Sequence, residues 1–351
     1  MEKIAAIILF LVFPFGQLLR FDLGDGITVH MNDLVVGGMG LVGLMRFMRI
    51  RDELKKPLVV WVLIAGFSLA LNFHLVGLLY LIRWVAYAGL YFFFKDFKEK
   101  DFLKKGLQLA ILAVAVVGLG QYLFLPDTTF LAASNWDDHS FRLLSTFLDP
   151  GFAGIILVLG ILGGLGGFGG LGITYSAMMM AYSRASYLAY LVGITAVSFY
   201  RKSWKLFAVA VMIFVLTVSL LPKSYGESTN LKRENSFWAR VHNWQQAVDI
   251  WQKNPILGVG FGNYQYYSGA NIESHAKAGS DSSILTVLAT TGGLGLLGYL
   301  GVMRGMWVMG RKNLIFKAGF LAIFVHSWFN NTLFYPWAME WLWLTLAASN
   351  E

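Results

Sequence analysis

"MEKIAAIILFLVFPFGQLLR", residues 1–20, carries one early cation, Lys3, and then an apolar run that lasts almost to Arg20. It has the charge and apolar centre of a secretory signal, but no small-residue cleavage site follows, so it reads as a first membrane helix. The same pattern continues along the chain. Of 351 residues, 57% are hydrophobic and only 14% charged, and a soluble domain of this length would need far more charge to cover its surface. Apolar runs of about 15–20 residues, roughly what a bilayer core requires, recur throughout. They fall near 4–19, 32–48, 57–73, 75–94, 107–125, 151–167, 169–182, 185–200, 206–221, 282–303, 313–329 and 333–349. The expected fold is all-α, a polytopic transmembrane helix bundle of about twelve spans. A count of about ten or eleven stays open, because "LGILGGLGGFGGLG" (159–172) allows a re-entrant turn in place of two spans. Residues 1–351 read as a single integral membrane domain with no separate soluble part.

The basic residues sort by loop. Arg46, Arg49, Arg51, Lys55 and Lys56 form one group, Lys95, Lys98, Lys100, Lys104 and Lys105 a second, Arg201, Lys202 and Lys205 a third, and Arg304, Arg311, Lys312 and Lys317 a fourth. The positive-inside rule makes these loops cytoplasmic, with Lys3 in agreement, and so puts both termini inside. The net charge of +8 then reflects topology and calls for no nucleic-acid partner. There is no cysteine, which removes disulfides and thiolate metal sites. The histidines are scattered and the acidic pair Asp137 and Asp138 lacks ligand spacing, so no metal and no cofactor are expected.

This topology leaves two long loops outside, 126–149 and 222–281. In the second, "SFWARVHNWQQAVDIWQK" (236–253) places Phe237, Val241, Trp244, Val248 and Trp251 on one helical stripe. Asn235 or Ser236 can cap it, and Pro255 follows its end. Such a helix lies on the membrane surface or covers the bundle as a lid. Arg240 sits at the stripe's edge, where its fork can reach a phosphate between helix and bundle, or simply be solvated. "KNPILGVGFGNY" (253–264) alternates glycines like a phosphate loop, but lacks the strand before and helix after that a nucleotide site needs. It is expected to turn the chain tightly beside Arg240.

"YSRASYLAY" (182–190) makes Ser183 a helix cap and Arg184 the first helical residue. A cation there opposes the helix dipole unless an anion is shared between them, so Arg184 predicts an anion. Similar starts occur at "TFLDPGFAG" (146–154), with Asp149 as cap and Pro150 in the first turn, and at "GSDSSIL" (279–285), with Ser280 or Asp281 first. If these starts converge near Arg142, Arg184 and Arg240, they form a basic pocket suited to a pyrophosphate. Candidate bases beside it are His275 and Asp281; His139, His242 and His326 also fall on the outer side. Arg83, within the apolar run "LVGLLYLIRWVAYAG" (75–89) and flanked by Tyr80 and Tyr87, is either an intramembrane polar site or the partner of an acid such as Glu340.

Taken in order, "RLLSTFLDPGFAG" (142–154), "YSRASYLA" (182–189), "WARVHNWQQAVDIWQKNPILGVGFGNY" (238–264) and "DSSILTVLATTGGLGLLGYL" (281–300) resemble the O-antigen ligase and polymerase family of bacterial membrane glycosyltransferases. The resemblance implies transfer of a glycan from undecaprenyl pyrophosphate to a saccharide hydroxyl, at the outer face of the cytoplasmic membrane, without metal or nucleotide sugar. It also implies that Arg184 and Arg240 bind the pyrophosphate; Arg142, from its place in the expected basic pocket, is expected to assist. One departure stands out: family ligases usually carry a histidine, often followed by Asn, where this chain has Ser280 and Asp281. Either Asp281 or His275 is then the base, or no base is needed; the Asp form resembles the polymerases more than the ligases. The rival reading is a secondary transporter or flippase of lipid-linked sugars, for which Arg83 speaks and the absence of two related halves speaks against.

Overall fold

The computed structural model describes residues 1–24, 27–164, 167–222, 229–269 and 279–349. Helix α1 (Glu2–Val12) runs on through a 3-10 segment, Phe13–Leu19, into a short antiparallel hairpin of β1 (Arg20–Asp22) and β2 (Thr28–His30). Then come α2 (Met31–Arg49), α3 (Lys55–Leu71), α4 (Leu75–Phe94) and α5 (Lys100–Phe124). The second half comprises α6 (Pro150–Leu162), α7 (Gly167–Met180), α8 (Arg184–Tyr200), α9 (Trp204–Leu220), α10 (Asn235–Lys253), α11 (Tyr264–Tyr267), α12 (Ser283–Met309), α13 (Leu314–His326) and α14 (Pro336–Ala347). The fold is all-α apart from the hairpin, and each apolar segment of the sequence forms a helix.

Lengths divide the helices into two kinds. Glu2–Leu19, Leu75–Phe94, Lys100–Phe124 and Ser283–Lys312 are long and apolar enough to cross a membrane unaided. By contrast α6, α13 and α14 have 13, 13 and 12 residues and extend only about 20 Å at 1.5 Å per residue. These short helices form the centre: every residue of α14 is buried, and every residue of α6 except Phe152. At the other extreme, α9 buries no residue fully, although Val209, Met212, Ile213, Val215, Leu216 and Leu220 are all exposed. A helix apolar all round and left open is stable only where the solvent is apolar, which is the lipid. Packing inside the bundle uses small residues: a Cβ on Gly43 of α2 would stand 2.0 Å from the Gly89 carbonyl oxygen of α4, so these two helices touch backbone to backbone.

Two of the basic groups meet beside the N-terminus. Lys95 pairs with Asp52, Arg46 with Glu2 at 2.6 Å and Lys3 with Glu99 at 2.7 Å. Lys100 donates to the carbonyls of Phe94 (3.0 Å) and Ala347 (2.7 Å), closing the C-terminal ends of α4 and α14 with one cation.

The glycine repeat has a different job from the one its sequence suggests. Helix α12 breaks at Gly292, whose φ of 66° and ψ of −169° free two donors and two acceptors on the adjoining turns. The segment after α10 supplies all four partners. Gly293 and Leu294 donate to the carbonyls of Pro255 and Ile256 at 2.8 and 3.2 Å, while Ala289 and Thr290 accept from Val259 and Gly260 at 3.1 and 2.9 Å. Ser68 of α3 adds hydrogen bonds to the Leu257 and Thr290 carbonyls. The loop can come this close because Gly258, at φ 65°, has no Cβ; one would lie 2.3 Å from the Thr290 carbonyl carbon. The glycines therefore fill the break in α12 instead of turning the chain beside Arg240.

Gly292→Ala puts a Cβ 2.2 Å from the Ile256 carbonyl at a left-handed φ, and should lower unfolding stability by about 2–4 kcal/mol. Gly301→Ala on the same helix meets open space and should be neutral or stabilising by up to about 1 kcal/mol. Chemical unfolding in detergent micelles compares the two; equal stability of both variants contradicts this account of the break.

Candidate active site

Three of the helix starts with side-chain caps belong to α6, α8 and α12. Asp149 accepts from the Phe152 N–H at 2.7 Å, Ser183 from Ser186 at 3.3 Å and Ser282 from Leu285 at 3.4 Å. The first two caps are those expected; the third is Ser282, not Ser280 or Asp281, because Ser280 and Asp281 are held by another element. The starts meet. Ser186 Oγ lies 3.2 Å from the Gly151 carbonyl, joining α8 to α6. Ser283 donates its N–H to the Ser327 carbonyl at 2.8 Å, and Ser283 Oγ accepts from Leu333 at 3.0 Å, joining α12 to the segment after α13. His326, at the end of α13, bridges the two groups: its Nε2 is 3.3 Å from Ser186 Oγ and 3.4 Å from Asn330 Nδ2. Each start presents N–H groups that no helical carbonyl satisfies, and so a partial positive charge.

The arginines collect around this junction. Arg184, first residue of α8, donates to the carbonyl of Arg233 (3.1 Å), more weakly to that of Leu231 (3.4 Å), and to Ser236 Oγ (2.6 Å). It thereby holds the lead-in to α10. Ser236 is consequently not a cap, and α10 starts without a side-chain cap bond. Arg142 is 6% exposed; its Nε donates to the Ala181 carbonyl at 3.0 Å and its Nη2 to the Tyr182 carbonyl at 3.3 Å, fastening the outer loop to the turn before α8. Arg233, which the sequence did not single out, reaches the same Tyr182 carbonyl at 3.4 Å. Arg240 lies within electrostatic reach of Arg142, Arg184, Asp281 and His326. Burial and then the charges of Arg233 and Arg240, only partly offset by Asp149, pull the Arg142 guanidinium down to about 9. It stays protonated at neutral pH, but in a field that favours an anion. Among the described residues, Arg142, Arg184 and Arg240 have no carboxylate within ion-pair distance, and the Arg240 side chain makes no hydrogen bond.

Helix α10 is rotated from the expected orientation. Its buried positions are Ala247 and Ile250, which pack with Val259, Tyr264, Ala289 and Leu285, so the inward line runs Arg240, Asn243, Ala247, Ile250. Val241, Trp244, Val248 and Trp251 are half-buried, and Phe237 and its neighbour Trp238 are 49% and 62% exposed. Small Ala247 lets α10 approach α12 in a way that an indole would block, and the rotation turns Arg240 inward. Asn243, one turn on, was missed; its Oδ1 accepts from Ser280 Oγ and the Asp281 N–H, both at 2.7 Å. The signal was its i+3 spacing from Arg240 on the same face.

Asp281 is thus pinned by its backbone. Burial raises its carboxyl above the ordinary value, as do Asp149 and Asp137, with Arg240 opposing. Asp149 goes the other way: burial would raise it, but His139, the Phe152 N–H and Arg142 outweigh that and hold it at about 2. His139 Nε2 is 3.7 Å from the Asp149 carboxylate and its Nδ1 3.4 Å from Arg142 Nη1. His275 lies outside the described residues.

Arg83 stands apart. Its partner is Asp33 of α2 at 2.8 Å, not Glu340, and it also donates to the Thr28 carbonyl at 2.6 Å. Asp33 is held further by His30 Nδ1 (2.9 Å) and the Tyr87 hydroxyl (3.1 Å). Glu340 instead accepts from Asn32 at 2.8 Å. Asp33, in the first turn of α2, faces α4 across the close α2–α4 contact; Glu340 belongs to α14 and is occupied by Asn32. The arginine that spoke for transport is therefore part of an ion-paired network beneath the hairpin.

Residues 169–300 match the family model described as O-Antigen ligase. The match covers little more than a third of the chain and supports a likeness to the O-antigen ligase/polymerase family over that span. The comparison with curated proteins returns no match. The matched span runs from α7 into α12 and includes Arg184, Arg233, Arg240, Asn243 and Asp281; Arg142, Asp149 and His326 lie outside it. The match supports an O-antigen ligase-type membrane glycosyltransferase and does not favour the transporter reading.

If Arg83 and Asp33 act only as a structural pair, Arg83→Leu should cost about 3–5 kcal/mol by taking the arginine's charge from a buried carboxylate, and Arg83→Leu with Asp33→Leu should restore most of it. Unfolding of the single and double variants in micelles checks this; a double variant no better than the single would point to a role for the pair beyond stability.

Proposed function

We propose that this chain transfers a glycan from undecaprenyl pyrophosphate to a saccharide hydroxyl, as a polymerase or ligase of surface polysaccharide. The observation that carries the reading is the gathering of Arg142, Arg184 and Arg240, without ion-pair partners among the described residues, where α6, α8 and α12 start. Cations and helix starts repel one another unless an anion sits between them, and a pyrophosphate supplies both charge and oxygens. Lys95 and Lys3 pair with Asp52 and Glu99, away from this junction, which supports an extracytoplasmic site in a bacterial cytoplasmic membrane by the positive-inside rule.

The chemistry follows from the placement. The acceptor hydroxyl oxygen attacks the anomeric carbon while the bond from that carbon to the pyrophosphate oxygen breaks. Undecaprenyl pyrophosphate leaves with an added negative charge, which Arg184 and Arg240 stabilise as it grows. Asp281 takes the hydroxyl proton; burial raises its carboxyl toward the working pH, the direction that suits a general base. Arg142 keeps the Ala181–Ser183 turn, and so Arg184, in place.

Arg184→Ala and Arg240→Ala should each lower kcat by about 100-fold or more with donor and acceptor supplied to purified protein in nanodiscs. Ser236→Ala removes the partner that Arg184 grips while leaving the cation, and should keep most activity. Full activity in either arginine variant removes the central claim.

The pH profile tests the base. A raised Asp281 protonates at a higher pH than a free carboxylate, so activity should fall on the acid side at a pH above the ordinary Asp value of 3.8. Asp281→Asn should lower kcat by about 100–10,000-fold and abolish that acid limb. An unchanged limb in the variant assigns the proton to another group.

A further inference from the structure

Beneath the arginines lies a polar patch that solvent does not reach. Ser186, Ser283, His326, Ser327 and Thr332 are each fully buried, at a junction where apolar side chains would carry no desolvation cost. His326 is its hub. Its Nδ1 lies 2.7 Å from Thr332 Oγ1, while its Nε2 faces Ser186 Oγ and the Asn330 amide nitrogen. An amide nitrogen only donates, so Nε2 is assigned as the acceptor and the proton to Nδ1, directed at Thr332. The single proton of Ser186 has three acceptors in range: His326 Nε2, the Gly151 carbonyl at 3.2 Å and Ser183 Oγ at 2.9 Å. Gly154 keeps that hydroxyl in place, since a Cβ there would lie 2.3 Å from it.

We infer that His326 is a positioning residue for pyrophosphate binding: through Ser186 it sets where α8 starts, and hence where Arg184 stands relative to α6 and Arg240. This rests on the proposed function. Ser186 lies one turn into α8, its N–H is capped by Ser183, and its hydroxyl reaches α6 through Gly151. His326 joins that pair to the turn at Asn330 and Thr332, which in turn holds the start of α12 through Ser283. A displacement of about 1 Å at such a junction lowers the rate roughly 100-fold without removing any group that touches substrate.

Two amides separate positioning from packing. His326→Gln places an amide group near the Nε2 position, facing Ser186; His326→Asn places it near Nδ1, facing Thr332. The intact protein in nanodiscs is assayed for donor KM and kcat, and for binding of undecaprenyl pyrophosphate and of inorganic pyrophosphate. His326→Asn and Ser186→Ala should raise donor KM and weaken undecaprenyl pyrophosphate binding about tenfold, and His326→Gln should stay within about threefold of the parent. Equal loss in Gln and Asn variants together with a lowered melting temperature, or parental KM and binding in Ser186→Ala, overturns the inference. If the His326 variants fail to fold, Ser186→Ala decides alone. Silent His326 and Ser186 variants alongside inactive Arg184→Ala refute this inference only, whereas active Arg184→Ala refutes the proposed function beneath it.

Discussion

A bilayer offers no water to a broken backbone, and the structure depends on how one break is repaired. At Gly292 the ladder of α12 is interrupted, and the four freed peptide groups are taken up by residues 255–260. That repair ties the large loop to the bundle. It also determines where α10 ends, because Asn254 and Pro255 must reach the break, and Ala247 and Ile250 then settle on α12. Arg240 faces the start of α8 as a result. The loop is thus seated by backbone hydrogen bonds first, and its charges are delivered as a consequence.

The second level of organisation is electrostatic. Arg184 occupies a helix start that repels it, and finds acceptors in the carbonyls of Leu231 and Arg233 and in Ser236. Those acceptors are dipoles, weaker partners than phosphate oxygens. Arg142 is committed to two carbonyls of the turn before α8. The three cations therefore differ: one fastens, one holds the lead-in to α10, and the Arg240 side chain is without a hydrogen bond among the described residues. The family match covers the last two and leaves out the first.

Much of the fold was legible because hydropathy and capping are local. Each apolar segment became a helix, and Asp149 and Ser183 cap where the residue pattern put them. What was not legible depended on neighbours far away in sequence. The Phe237–Trp251 stripe looked like the buried face of α10, but a helix face is chosen by what it meets, and α12 admits Ala247 more readily than Trp. Glu340 looked as good an acid for Arg83 as any until α2 brought Asp33 alongside. The glycines of 253–264 look alike in a tight turn and in a helix break, and only the position of Gly292 tells them apart. His326 stood in the sequence as one outward histidine among several; its hydrogen bonds to Ser186, Asn330 and Thr332 join elements more than 100 residues apart in the chain.

Helix α9 carries a further consequence. It buries no residue fully, and its 17 residues extend only about 25 Å, less than the roughly 30 Å of a typical hydrocarbon core. Trp204 at one end is exposed, and Lys202 and Lys205 flank it, so that end is anchored at the headgroups. Its other end is tied to the turn before α8, where the Tyr182 hydroxyl donates to the Pro222 carbonyl at 2.9 Å. A thicker membrane must thin locally or draw that end inward. Lipid chain length thereby becomes a mechanical input to the turn before α8, and the surroundings of the bundle help set where Arg184 stands.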